Sequence, residues 1–292
     1  MCLPPAMQTV PVDDFDDPRL GDYRNLKDAA LSRERGRFIV EGTGTLRVLL
    51  GRSAHRPDSI LLSERAYAGL RDELDALAPD CPVYVGTQRV LDRVVGFPIH
   101  RGCLAACPRP AIDDPLALAR AALARETAPR LVVLEALTNL DNVGLVFRNA
   151  MALGARAVLL CPRCCDPLYR KAVRTSMGGT LCVPWARTED LGALLAALRA
   201  EGYTTLALDP AAENESIDRI DAAGLGPAAL LLGTEGAGLS AAARAAADRR
   251  VRIAMEPGVD SLNVAVAAGI ALSHLRPVGA ADGDGGRSEG AT

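Results

Sequence analysis

Aromatic residues make up only 3% of this 292-residue chain, with a single Trp, Trp185. Its cores must therefore be built from Leu, Val, Ile and Ala, which the 49% hydrophobic content supplies. That content excludes wholesale disorder. Net charge of one sign is also scarce, at -3, so a nucleic-acid surface can only be a local patch. No apolar run approaches the ~20 residues of a membrane span, and Val264–Leu272 is too short. The N-terminal MCLPPAMQTVPVDDFDD lacks the basic and apolar regions of a secretory signal, so a cytoplasmic protein without membrane contact is expected. Eight cysteines are too few for a disulfide scaffold. Cys103 and Cys107, with Cys161, Cys164 and Cys165, could be read as metal ligands. A second complete C-x-x-C is missing, and no metal is expected.

At ~100–200 residues per domain, the length suggests two domains. Residues 1–18 are acidic, contain Pro and lack periodicity, and are expected to be a flexible arm. Over 19–108, apolar runs at Phe38–Val40, Ile60–Leu62 and Val83–Val85 predict strands, and Leu46–Leu50 and Glu64–Leu77 predict helices. This is a small α/β module. Residues 109–128 read as a linker, opened by Cys107-Pro108-Arg109-Pro110 and carrying an Ala-rich helix over Pro115–Glu126. Over 129–278, strands are expected at Leu131–Leu134, Ala157–Cys161, Thr205–Asp209, Ala229–Leu232 and Val251–Met255. Between and after them, helices are expected at Val143–Gly154, Tyr169–Met177, Leu191–Ala200, Ser240–Ala247 and Asn263–Leu275. This alternation specifies an α/β fold with a mostly parallel sheet. The Gly- and Asp-rich tail, 279–292, is expected to be disordered.

Open α/β sheets bind ligands beyond the carboxyl ends of their strands, and three such segments are unusual. The first, Thr138–Gly144, leads into a helix whose Val143, Val146, Phe147, Ala150, Met151 and Gly154 share one stripe. Asn142 sits where an N-cap belongs, and Arg148 falls off the stripe, free to face a cleft. The second, Gly233-Thr234-Glu235-Gly236-Ala237-Gly238, lets backbone approach a ligand closely. It is neither a P-loop nor a G-x-G-x-x-G fingerprint, which argues against nucleoside triphosphates and a nicotinamide enzyme. In the third, Val251–Asn263, Ser261 can cap the apolar helix that follows. Each alone would serve as an ordinary cap or tight turn.

Together the three segments resemble the SpoU (TrmH-type) family of SPOUT methyltransferases. Asn142, Gly144 and Arg148 are similar to its Asn-x-Gly-x-x-x-Arg; Leu232–Gly238 to its Leu-Gly-x-Glu-Gly-x-Gly; and Ile253, Met255 and Ser261–Ala267 to its third motif. Ala254 stands where the family usually has Pro. Arg174-Thr175-Ser176-Met177-Gly178 resembles a further family segment, and residues 19–108 resemble the family's L30-like substrate-binding domain, best at Arg37–Gly42. The resemblance implies a trefoil-knotted SPOUT domain, a homodimer, and S-adenosylmethionine-dependent methylation of a ribose 2′-hydroxyl in RNA. By analogy the front domain points to ribosomal RNA; a tRNA 2′-O-methyltransferase, or an idle RNA-binding protein of the same fold, is the alternative. It implies a catalytic set of Arg148, Asn142, Glu235, Ser261 and Asn263. Leu232, Gly233, Gly238, Ile253, Met255 and Leu262 would hold the cofactor. Arg33, Arg35, Arg37, Arg170, Lys171 and Arg174, the densest basic groups, are the candidates for binding RNA.

Overall fold

The computed structural model describes residues 8–24, 28–96, 98–99, 102–211 and 213–276, apart from the side chains of residues 28 and 33. The front unit has five strands: β1 (Thr9–Pro11), β2 (Arg37–Glu41), β3 (Ser59–Ser63), β4 (Val83–Gly86) and β5 (Cys103–Pro108). They lie in the order β1-β4-β3-β5-β2, with β5 antiparallel to both β2 and β3. Helices α1 (Asp28–Arg35), α2 (Thr43–Arg52), α3 (Glu64–Leu77) and α4 (Gln88–Val95) connect them. Side chains alternate across the sheet, as strand geometry requires. Ile39, Leu61 and Leu104 pack with Leu20, Tyr23 and Leu91 on one face, whereas Phe38, Val40, Ile60 and Leu62 pack with Leu46, Leu49 and Leu70 on the other.

Residues 9–12 correct the expectation of an arm over 1–18. β1 pairs in parallel with β4, and Val12 is buried in the front core. Residues 1–7 of that arm and the tail 279–292 lie outside the described residues. The sheet also contains β5, which its Cys-Leu-Ala-Ala-Cys-Pro sequence did not announce as a strand.

After α5 (Pro115–Leu123), the second unit is a seven-stranded, wholly parallel sheet. Its strands are β6 (Arg130–Leu134), β7 (Ala157–Leu160), β8 (Trp185–Arg187), β9 (Thr204–Leu208), β10 (Glu215–Ser216), β11 (Ala228–Leu232) and β12 (Arg249–Arg252), in the order β10-β12-β9-β11-β6-β7-β8. Helices α6 (Leu140–Leu153), α7 (Arg170–Thr175), α8 (Gly179–Cys182), α9 (Leu191–Ala200), α10 (Ala241–Ala246) and α11 (Val264–Leu275) complete it. The central strands read RLVVL, AVLL and AALLL because both faces are covered. Val132, Val158 and Leu230 face α6 and α11, while Leu131, Leu159 and Leu231 face α5, α9 and α10. The register Leu134↔Leu160 and Leu134↔Leu232 brings the carboxyl ends of β6, β7 and β11 level.

Arg130, buried at the start of β6, ties the end of α11 to the sheet. Its Nε donates to the Leu275 carbonyl at 2.6 Å, and its other nitrogens to the carbonyls of Ala128 and Ala222. A cation there satisfies an otherwise orphaned terminal carbonyl of the helix. The two units are joined by contacts that require a glycine. A Cβ on Gly178, at φ 84°, would meet Val48 of α2 at 2.6 Å. Ser53 Oγ donates to the Leu181 carbonyl at 2.9 Å, and Arg109 pairs with Asp166 at 2.6 Å.

Two expected caps are displaced. Asn139, not Asn142, caps α6 and accepts from the Asp141 N–H at 2.9 Å. Asn263, not Ser261, caps α11, accepting from the N–H groups of Ala265 and Val266. β12 ends at Arg252 rather than Met255, which leaves Ile253–Met255 as irregular backbone free to face a ligand.

Candidate active site

The three segments converge. Leu232–Gly236 and Gly238, Ile253 with Met255, and Ser261–Val264 line one pocket of about 370 Å³ at the carboxyl ends of β9, β11 and β12. All six residues expected to hold a cofactor line it, and so do Glu235, Ser261 and Asn263. Ile253, Met255 and Ser261–Asn263 thus line the pocket although the strand and the cap expected in this segment were misplaced.

The glycines have specific tasks. A Cβ on Gly233 would fall 2.1 Å from the Gly238 carbonyl carbon and 2.2 Å from Leu239 N. The loop closes on itself there, through the Gly238 N–H donating to the Thr234 carbonyl at 2.9 Å. Its exit is pinned by buried Glu135, whose Oε2 accepts from the Ser240 N–H at 2.8 Å. Gly144 serves packing instead, since a Cβ there would lie 1.9 Å from Thr175 Oγ1 and 2.7 Å from the Ala172 carbonyl of α7.

Asn142 is buried inside α6, facing the pocket rim. Its Nδ2 donates to Glu235 Oε1, and its Oδ1 accepts from Asn263 Nδ2 at 3.0 Å. Asn263 Nδ2 also donates to Glu235 Oε1 at 3.2 Å. A carboxylate only accepts, so it suits two convergent amide donors. One residue from each motif thus forms a closed polar triangle that locks the Gly-rich loop to α6 and α11.

Arg148 stands apart. It is exposed on α6, has no ion-pair partner among the described residues, and does not line the pocket of its own chain. The other basic candidates are already engaged. Arg35 pairs with Asp22 at 3.2 Å, Arg37 with Asp58 at 2.8 Å and Lys171 with Asp141 at 2.7 Å. Arg170 and Arg174 both reach Glu41 of β2, at 3.4 and 2.8 Å. The side chain of Arg33 lies outside the described residues.

Sequence reasoning missed the wall formed by Leu208, Asp209 and Pro210 at the end of β9. The strand-end rule that singled out the other loops applied here too, but no glycine or motif drew attention to it. Asp209 adds a carboxylate to the wall, and Arg244, outside the lining, approaches it at 3.6 Å. The lining contains two carboxylates, Asp209 and Glu235, and neither Lys nor Arg. Such a pocket favours a ligand with positive charge and apolar surface and disfavours a phosphate.

The model of the SpoU rRNA Methylase family matches residues 129–273, which span the second unit. A Mycobacterium bovis protein named as an uncharacterized tRNA/rRNA methyltransferase is 39% identical over 275 residues, 92% of each chain. The chain belongs to the SpoU rRNA methylase family. A Synechocystis protein of the same naming is 28% identical over 262 residues, covering 89% of this chain and 90% of its own. Two solved structures share the fold. One is the AdoMet-bound rRNA methyltransferase of Sinorhizobium meliloti (TM-score 0.75, 23% identity, 92% of this chain and 98% of that one). The other is the SpoU methyltransferase AviRb of Streptomyces viridochromogenes in complex with AdoMet (TM-score 0.72, 24% identity, 89% and 97%). No helix among the described residues is long and apolar enough to cross a membrane.

Proposed function

We propose that this protein methylates a ribose 2′-hydroxyl of ribosomal RNA, using S-adenosylmethionine, as a cytoplasmic homodimer with a knotted second unit. The observation that carries the reading is the convergence of three motif loops on a pocket with two carboxylates and no cation. That lining fits S-adenosylmethionine, which is cationic, carries an apolar base and has no phosphate. The names of the relatives and of the two fold neighbours support the same substrate and cofactor classes. Bound there, S-adenosylmethionine supplies an electrophilic methyl group on a sulfonium. The protein's part is then alignment, which can supply much of the rate enhancement of a displacement reaction. The backbone of Gly233, Ile253 and Leu262 and the side chains of Leu232 and Met255 form the wall, with Gly238 closing the loop. The Asn142–Glu235–Asn263 triangle holds that wall in register, and Ser261 completes the rim.

Arg148 is the residue we assign to the acceptor. Guanidinium does not give up its proton in proteins, so its task is to bind the adjoining phosphate and stabilise charge growing on the 2′-oxygen. It does not line its own chain's pocket, so the site needs a second copy. α11 supports this. Val264–Leu272 contains no polar side chain, a pattern that belongs to a helix covered all round, yet Val266 is 52% exposed and Leu145 of neighbouring α6 is 37% exposed. The RNA would reach the front unit and α7 through Arg33, Arg35, Arg37, Arg170, Lys171 and Arg174, with phosphates displacing their carboxylate partners. The exposed pairs of Arg35, Arg37 and Lys171 are worth only ~0–1 kcal/mol, whereas Glu41, which holds Arg170 and Arg174, is buried.

The test is incubation with methyl-labelled S-adenosylmethionine and transcripts of ribosomal or transfer RNA, followed by mapping of alkali-resistant linkages. Label at a ribose of ribosomal RNA is expected; label on a base, or on transfer RNA alone, overturns the reading. Mixing Arg148→Ala with Gly233→Ala, at an S-adenosylmethionine concentration too low to occupy the second variant's pocket, tests the shared site. Random reassortment into symmetric dimers should restore about a quarter of wild-type activity, since half the dimers are mixed and each holds one intact site. Absence of recovery in demonstrably mixed dimers would place Arg148 in its own chain's site.

A further inference from the structure

Methyl transfer leaves one cluster unused. The Cys161-Pro162-Arg163-Cys164 turn follows directly on β7, with Pro162 and Arg163 exposed and both sulfurs just beneath them. The two Sγ atoms are 3.8 Å apart. Arg187 on β8 braces the turn, its NH1 donating to the carbonyls of Cys161 at 3.0 Å and Cys164 at 2.9 Å.

The sulfurs also hold the segment that leads into α6. Cys161 Sγ accepts from the Ala136 N–H at 3.0 Å, and Cys164 Sγ accepts from the Leu137 N–H at 3.4 Å. Cys164 Sγ also lies 3.2 Å from the Leu134 carbonyl, so its one proton is shared between that oxygen and the Cys161 sulfur. Ala136 is a non-glycine residue at φ 55°. That left-handed conformation costs roughly 1–2 kcal/mol, so something must hold it. Among the described residues, the one side-chain atom that its N–H meets is the Cys161 sulfur.

We propose that Cys161 and Cys164 form a redox-active dithiol, which a hydroperoxide converts to a disulfide, releasing the 135–139 segment and loosening the pocket behind it. The Cys161 thiolate attacks the peroxide, the O–O bond breaks, and a sulfenic acid and hydroxide result. The Cys164 sulfur then attacks the sulfenic sulfur, its proton and the departing hydroxyl leaving as water while the S–S bond forms. Two thiols are oxidised and one hydrogen peroxide is reduced to two waters. The roles are asymmetric. The hydrogen bond from Cys164, against the opposing effect of burial, and the N–H groups of Ala136, Arg163 and Cys164 hold the Cys161 thiol well below its usual range. Cys164, sharing that bond and buried, is pushed up. A low-pKa attacking thiol next to a resolving thiol is the arrangement that oxidation by peroxide requires.

The product changes both contacts with the segment. A disulfide sulfur carries no charge for the Ala136 N–H and no proton for the Leu134 carbonyl. The freed segment contains Glu135, which pins the exit of the Gly-rich loop, and Asn139, which caps α6 and so seats Asn142. The cofactor arm of the experiment rests on the proposed function; the disulfide and its local effect do not.

The full chain is treated with hydrogen peroxide, alkylated, digested and weighed. A peptide carrying an unalkylated Cys161–Cys164 pair, two hydrogens lighter and restored by dithiothreitol, is expected. Cys164→Ser should instead trap a dimedone-reactive sulfenic acid on Cys161, and Cys165→Ser should behave as wild type. Persistently free thiols, or a bond to Cys165, overturn the proposal. Amide exchange at Ala136 and Leu137 should accelerate about tenfold or more on oxidation, the expected mark of a local opening; unchanged exchange in the disulfide form overturns the coupling. Calorimetry should show several-fold weaker S-adenosylmethionine binding by oxidised protein and no oxidant response in the Cys161→Ser/Cys164→Ser variant. Failure of both redox forms to bind, with the disulfide and exchange changes present, would count against the proposed function alone.

Discussion

Gly233→Ala is the sharpest perturbation of the pocket. The added Cβ would stand 2.1 Å from the Gly238 carbonyl carbon, where ordinary contact begins at 3.4 Å, so the two strands of the loop must part by the 1.3 Å difference. The obstructing atoms are backbone, which no rotamer change can move. Overpacking of this kind costs ~1–3 kcal/mol. If the loop pays it on closing around a ligand, the dissociation constant for S-adenosylmethionine rises roughly 5- to 150-fold. Gly236→Ala is the control, because nothing lies within 4 Å of its Cβ and only its φ of 78° is unfavourable. Calorimetry on both variants, with thermal melting to confirm folding, should show Gly233→Ala as the weaker binder. Wild-type affinity in Gly233→Ala, or a greater loss in Gly236→Ala, would refute the role assigned to the closed loop.

Three further outcomes follow from the geometry. Glu235→Gln keeps the Oε1 acceptor for both Asn142 and Asn263 and should lower cofactor affinity less than tenfold by calorimetry, whereas Glu235→Ala strands the buried Asn142 donor at ~1–3 kcal/mol, exposed Asn263 keeping its bond to Asn142 Oδ1, and should lose far more. Gly144→Ala should lower the unfolding free energy in urea by ~1–3 kcal/mol; adding Thr175→Ala removes the Oγ1 contact at 1.9 Å but not the Ala172 carbonyl at 2.7 Å, so rescue should be partial. For Asp248, burial opposes ionisation, but hydrogen bonds from Thr205 and then Arg199 outweigh it and depress the pKa. Its stabilisation is therefore complete above the unfolded carboxylate value of about 4 and is lost as pH falls through the lower folded value. The difference in melting temperature between wild type and Asp248→Asn should close below that window.

What could be read from the sequence divides along physical lines. The long runs at β6, β7 and β11 and the striped helix α6 were legible because strands and helices buried in one core must carry that pattern. β1, β8 and β10 have two or three residues each, too few for any period, and β1 exists only because β4 offers it an edge. The stretch Thr138-Asn139-Leu140-Asp141-Asn142 offers two asparagines that could cap α6, and only packing decides between them. Asn139 takes the cap, which frees Asn142 to spend its amide on Glu235 and Asn263. At α11 the exchange runs the other way: Asn263 takes both tasks, its Oδ1 capping the helix while its Nδ2 joins the triangle, and Ser261 is left on the rim. Both displaced caps have one cause. A polar side chain beside a strand end can satisfy either its own backbone or a distant partner, and the sequence shows the side chain but not the partner. Arg148 is the extreme case. Its place off the apolar stripe was legible, but no partner for it exists among the described residues of its own chain. A cation left exposed beside an incompletely covered apolar helix is what a site divided between two chains would leave in each of them.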